Sequence, residues 1–142
     1  MSNTDFYTQQ IKSFARNLGF SYTGIARAQR LDADARRLEQ WLHKGMQGSM
    51  HYMENFFDLR IDPSKLVPSA KSVITLLLNY FPSQTQQSQA PKIARYAFGK
   101  DYHEVIKKKL NALLGLIKEH IGEVQGRGFV DSAPVLERTW AQ

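Results

Sequence analysis

The feature that most constrains this chain is the run Ser72–Asn79. It is short, apolar and rich in Val, Ile and Leu, and Pro82 stops it. A run of that length between turn signals reads as a strand buried on both faces. Its apolar heart, Val73 to Leu78, is far too short to cross a bilayer. Something must cover such a strand, and the flanking sequence offers helices. Tyr7, Ile11, Phe14, Ala15 and Leu18 share one helical face after a cap at Asn3 or Thr4, and Gly19 stops it. A second helix opens at Asp32 or Asp34, buries Ala35, Leu38, Trp41 and Leu42, and ends at Gly45. Met50, Met53 and Phe57 resume helical spacing until Arg60-Ile-Asp-Pro63, because proline pushes the residue before it out of the α region. Asp62 to Leu66 reads as a further short turn. After a cap at Asp101, Val105, Ile106, Leu110, Leu113, Leu114 and Ile117 form the stripe of a long amphipathic helix.

Three further segments read as strands: Phe20 to Ala26, Ile93 to Phe98 and the pair Phe129-Val130. Ser83 to Ala90 is a Gln- and Ser-rich loop, and the final stretch from Glu137 is ambiguous. The expected fold is therefore α+β, with a small mixed sheet of three to four strands flanked by helices in a three-layer arrangement. The length, 142 residues, suits one domain with a proper core.

Composition excludes whole classes of chemistry. There is no cysteine, which rules out disulfides, thiolate metal sites, cysteine nucleophiles and cysteine-held iron–sulfur clusters within this sequence. No apolar signal core precedes the first helix, and a cytoplasmic protein with no membrane contact is expected. The net charge is +6. Between Lys92 and Lys118, seven basic residues face only Asp101 and Glu104, so this stretch carries five of the six excess charges. Such a cluster attracts phosphate, but it also describes a solvated helix face.

Standard motifs are missing. Gly45, Gly48, Gly126 and Gly128 match neither a phosphate-binding loop nor a dinucleotide fingerprint. The histidines His43, His51, His103 and His120 show no metal-type pairing, so no metal ligand is expected. Three segments remain. Arg95-Tyr-Ala-Phe-Gly-Lys-Asp-Tyr-His103 gathers polar and aromatic groups ahead of a helix N-terminus, where ligands with polar edges bind; it reads equally as a capped helix. Val130-Asp-Ser-Ala-Pro-Val-Leu-Glu-Arg138 sets an acid at a strand end. A carboxyl in apolar surroundings has its pKa raised and can act as a general acid, although Asp131 could simply cap the next turn. Trp41 to Met53 is rich in Met and aromatics around glycines, a composition that ordinary core packing also explains.

Taken in order, these segments resemble the epoxyqueuosine reductase family along nearly the whole chain. The resemblance runs through Leu18-Gly-Phe and Gly24-Ile-Ala, then Trp41-Leu, Gly45-Met-Gln-Gly-Ser-Met and Tyr52-Met, then Arg60 with Asp62-Pro, Leu66-Val-Pro and Ala70-Lys-Ser-Val-Ile. It continues through Ile93-Ala-Arg-Tyr-Ala, Gly99-Lys-Asp-Tyr-His and Val130 to Arg138. The resemblance implies an oxidoreductase that converts the epoxide of epoxyqueuosine, at the wobble position of certain transfer RNAs, to the alkene of queuosine. It implies cobalamin and two four-iron four-sulfur clusters as cofactors, transfer RNA as partner, a monomer, and a flavin-reductase-like cobalamin-binding fold for this N-terminal domain. It places Asp131 as general acid and Asp101, Tyr102, His103 and Arg138 around the cofactor and substrate. In that family a Gly-Leu-Gly-Trp-type segment and a Cys-rich ferredoxin-like region follow. Here the sequence stops at Trp140-Ala-Gln142. The expectation is a truncated chain, residues 1–142, without the electron-delivery half and inactive alone. Two other classes fit the same residues: a non-catalytic module binding cobalamin or nucleic acid, and a flavin-dependent reductase.

Overall fold

The computed structural model describes residues 3–142. Its elements run α1 (Asn3–Asn17), β1 (Tyr22–Arg27), α2 (Asp32–His43), α3 (Phe57–Ile61), α4 (Pro63–Leu66), β2 (Ser72–Leu77), α5 (Tyr102–His120) and α6 (Glu137–Trp140). Single 3-10 turns lie at His51–Met53 and Arg95–Ala97. The architecture is α+β. The chain divides into two compact units, one made of the chain up to Thr23 with Leu76–Val124, the other of Gly24–Thr75 with Gln125–Gln142.

In the first unit α1 packs on α5. The stripes expected from spacing do meet: Ala15, Phe20, Leu113 and Ile117 are buried. Phe14 closes on the His120 ring, 5.1 Å between centroids. Gly19 ends α1 in the left-handed region at φ +90°, its N–H donating to the Arg16 carbonyl, while the Phe20 N–H returns to Ala15. Glycine is needed there because a side chain is strained at that φ.

In the second unit α2 packs on α3 and α3 on α4. Ile61 is fully buried, and its carbonyl accepts the Leu31 N–H at 2.8 Å, tying α3 to the start of α2. Arg60 holds the turn before α3 by donating from Nη2 to the Tyr52 carbonyl and from Nε to the Asn55 carbonyl. The expected break at Asp62-Pro63 is a real helix start. Pro63 fills the first position of α4, and Asp62 accepts from both the N–H and the hydroxyl of Ser64.

The sheet departs from expectation. Among the described residues it has two strands, β1 and β2, not three or four. They run antiparallel, with flanking bonds from Ser21 N–H to Leu77 and from Ala28 N–H to Lys71. Each is therefore an edge strand, so β2 is half-buried rather than covered on both faces. Ile93–Phe98 is not a strand: its Ala97 and Phe98 N–H groups bond back three residues, to Ala94 and Arg95, which curls the backbone into a 3-10 turn. Phe129-Val130 makes no ladder either, although Val130 is buried. In both segments β-branched and aromatic content suggested a strand, and local bonding or burial without a partner strand decided otherwise.

Candidate functional site

The residues singled out from sequence fall into two clusters, one in each unit. Asp101, Tyr102 and His103 stand at the N-terminus of α5 in the first. Asp131 and Arg138 lie in the second.

Asp101 is the N-cap of α5. Its Oδ1 accepts the His103 N–H at 2.9 Å and lies 2.8 Å from His103 Nδ1. The main-chain bond from His103 and then the imidazole bond hold the Asp101 carboxyl below the usual carboxylate range. The geometry shows the capped-helix reading directly. The Tyr102 ring stacks on the His103 ring at 4.1 Å with 27° between planes, and meets Tyr96 edge-on at 6.1 Å. Gly99, at φ +84°, turns the chain between Tyr96 and these rings. On the other side of Tyr96, the Arg95 guanidinium lies 4.6 Å over the Phe81 ring.

In the second cluster Asp131 is exposed and sits in the left-handed region, φ 49°. Aspartate tolerates that conformation better than most residues. A bond six residues long fixes it: the Asp131 N–H donates to Glu137 Oε1 at 3.0 Å. Glu137 opens α6, whose Trp140 is buried and anchors the segment. Glu137 is exposed at the surface, yet desolvation of its carboxyl first, and the nearby Asp131 charge, push it above its ordinary range against the lowering effect of the Asp131 N–H bond. Sequence reasoning gave Glu137 no role, yet the acid–base pair Glu137-Arg138 after Pro134 was visible. Arg138 is exposed on α6.

A separate open cavity of about 470 Å³ lies in the second unit, lined by Glu39, Leu42, His43, Gln47, Glu54 and Phe57. None of these was singled out as a site residue. Gln47 donates to Glu54 at 2.8 Å, and this bond, followed by one from His51, lowers the Glu54 pKa. The neighbouring Met46, Met50 and Tyr52 are exposed, so the Met-rich stretch is not the core packing its composition suggested. Among the described residues no group of three or more His, Asp or Glu is placed to hold a metal ion.

Comparison with known proteins places the chain in a family. The family model described as "Epoxyqueuosine reductase QueG, DUF1730" matches residues 60–132, just over half of the chain. The chain belongs to the epoxyqueuosine reductase QueG family. It is 54% identical to an epoxyqueuosine reductase of Cyclobacterium marinum, across 99% of this chain and 46% of that protein. The backbone superposes on a crystal structure of selenomethionine-labelled epoxyqueuosine reductase with a TM-score of 0.81, at 25% identity, over 98% of this chain and 38% of the other. A third similar protein is an epoxyqueuosine reductase crystallised with an epoxyqueuosine-modified tRNA-Tyr stem loop, with a TM-score of 0.76, 26% identity and the same two coverages. The chain spans a little under half the length of the three curated epoxyqueuosine reductases it matches at 52–54% identity.

Proposed function

We propose that residues 1–142 form the N-terminal domain of an enzyme that reduces the epoxide of epoxyqueuosine in transfer RNA to the alkene of queuosine, with cobalamin as cofactor. The observation that carries this reading is the family match over residues 60–132, which spans Asp101, Tyr102, His103 and Asp131 together. The stem loop in the similar crystal structure supports transfer RNA as the substrate. No described helix is long and apolar enough to cross a membrane. A monomeric cytoplasmic enzyme with a flavin-reductase-like cobalamin-binding fold, its sheet extended to three or four strands in the complete protein, is the arrangement proposed.

The donor set at α5 fits a corrin. Its rim carries amide side chains that need acceptors and donors; Asp101 supplies the first, Tyr102 and His103 supply both, and the stacked rings give a flat apolar surface. Arg138 is a donor for the same kind of group. Bound cobalamin would supply the two electrons that the reduction needs. Iron–sulfur clusters do not fit these residues, because the sequence holds no cysteine; their ligands would lie outside residues 1–142.

The chain's own chemistry is proton handling. Losing the epoxide oxygen as water requires two protons as well as two electrons, and the oxygen departs readily only when protonated. Asp131 is the acid assigned to that step, held on its turn by Glu137, whose own carboxyl is pushed above its ordinary range. The test is oxygen loss from an epoxyqueuosine-bearing stem loop, followed by mass spectrometry, with the full-length protein, cobalamin and a chemical reductant. Conversion to queuosine is expected. No conversion by cobalamin-loaded protein overturns the reading.

A further inference from the structure

Phe81 and Tyr96 are large rings left in the open, 65% and 57% exposed. Each has a defined setting. The Phe81 N–H donates to Asn79 Oδ1 at 2.9 Å, which fixes the backbone just past β2. The Arg95 guanidinium carbon lies 4.6 Å from the Phe81 ring centroid; Tyr96 follows Arg95 directly and meets Tyr102 edge-on, and Tyr102 stacks on His103. The result is a run of planar groups, Phe81, Arg95, Tyr96, Tyr102 and His103, within one compact unit. Lys92 and Lys100 flank it, and the same stretch holds most of the chain's excess positive charge. Asp101, one of only two acids there, is engaged by His103.

Exposed apolar rings interleaved with cations call for a flat, anionic partner. Unpaired bases stack on aromatic and guanidinium planes while lysines follow the phosphates. A paired duplex hides its base faces and fits poorly. Aromatic and Arg side chains also enrich protein interfaces, so the choice of an RNA partner rests on the cation excess of this stretch, seven basic residues against Asp101 and Glu104. We propose that Phe81, Arg95 and Tyr96 form a stacking platform for unpaired bases of the RNA loop that neighbour the reacting nucleoside. The platform leads through Tyr96 to Tyr102, one of the residues assigned to the reaction site. This inference rests on RNA being the substrate and names the surface that grips it.

The experiment is a fluorescence-anisotropy titration of a labelled epoxyqueuosine-bearing RNA stem loop with the full-length protein, repeated across a salt series. Phe81→Ala and Tyr96→Ala should each weaken binding roughly ten-fold, with the salt slope unchanged. Arg95→Ala should weaken binding and flatten the slope of log K against log salt by roughly 0.7. Arg95→Lys should keep the slope and still lose affinity, because an ammonium does not stack as a guanidinium does. If wild type binds and the two ring variants bind equally well, the platform is wrong while the substrate reading stands. If those variants instead lose thermal stability at unchanged affinity, the rings are packed inside the complete protein, and the platform is equally wrong. If wild type fails to bind the stem loop, both readings fall.

Discussion

The Lys109 ammonium donates to the main-chain carbonyl of Leu18, where α1 ends. The last carbonyls of a helix lack intrahelical partners and carry the negative end of its dipole, so a cation there is doubly favoured. Lys109 is half-buried, whereas Lys107 and Lys108 are exposed on the same helix. One member of what reads as a uniform basic run is therefore a structural clasp between α5 and α1. Lys109→Met should lower the unfolding free energy by about 1–3 kcal/mol, and Lys107→Ala or Lys108→Ala by less than about 0.5 kcal/mol. Urea denaturation followed by circular dichroism checks this; equal effects at all three positions would remove the clasp.

The turn that Lys109 clasps makes a second prediction. A Cβ added at Gly19 would stand 3.2 Å from Lys109 Nζ, on a backbone at φ +90°. Gly19→Ala should destabilise by about 1–2 kcal/mol through the strained φ alone. A further loss from crowding Lys109 Nζ should vanish in a Lys109→Met background, so the two substitutions should together cost less than the sum of their separate effects. Strict additivity in a double-mutant cycle would show that the two residues are independent.

Ile61 is the largest fully buried side chain of the second unit. Ile61→Ala removes three buried carbons from a packed site and should cost about 2–5 kcal/mol, against about 0.5–1.5 kcal/mol for Ile61→Val. A melting curve in which Ile61→Ala resembles wild type would mean that the site collapses onto the smaller side chain.

Glu137 ties stability to pH. Its folded-state pKa lies above the ordinary glutamate value of 4.5, chiefly through partial desolvation of a carboxyl on an otherwise exposed residue, so the effect is screened and small. The folded protein therefore binds this proton more tightly than the unfolded chain does. Stability from this group falls as pH rises from about 4.5 through the folded pKa, and the full penalty is present above it. Glu137→Gln keeps an oxygen to accept the Asp131 N–H and removes the charge. The variant should melt higher than wild type at pH 7, and the difference should vanish below pH 4.5. A gap that does not change with pH would assign the effect to packing rather than ionisation.

Much of this was legible because helices announce themselves locally. The α5 stripe, the α1 stripe from Ile11 onward, the Gly19 stop, the Asp101 cap and the Asp62-Pro63 start all rest on spacings of a few residues and stand where expected, whereas Tyr7 at the head of the α1 stripe is exposed. Strands need partners that local sequence does not name. Ile93–Phe98 has strand-like residues but satisfies its N–H groups in a turn. The site was legible in part for the same reason: Asp101, Tyr102 and His103 are neighbours in the chain and in space. The bonds from Asp131 to Glu137 and from Lys109 to Leu18 depend on the path of the backbone, and no residue pattern encodes them directly.

Asp131 carries the sharpest catalytic prediction. Its main chain is left-handed, so Asp131→Ala would strain the turn as well as delete the acid. Asparagine tolerates the same conformation and keeps the N–H that Glu137 accepts. Asp131→Asn therefore removes the carboxylate, and with it the charge felt by Glu137, while keeping the backbone conformation and the N–H bond. In the full-length protein it should leave melting temperature and stem-loop affinity within error of wild type. Single-turnover conversion of the epoxide should fall by about 10²–10⁴-fold, the usual worth of a positioned general acid. A variant that keeps its rate would move the proton to another group, with Glu137 the first to test. A variant that loses RNA affinity in the same proportion would make Asp131 a binding residue.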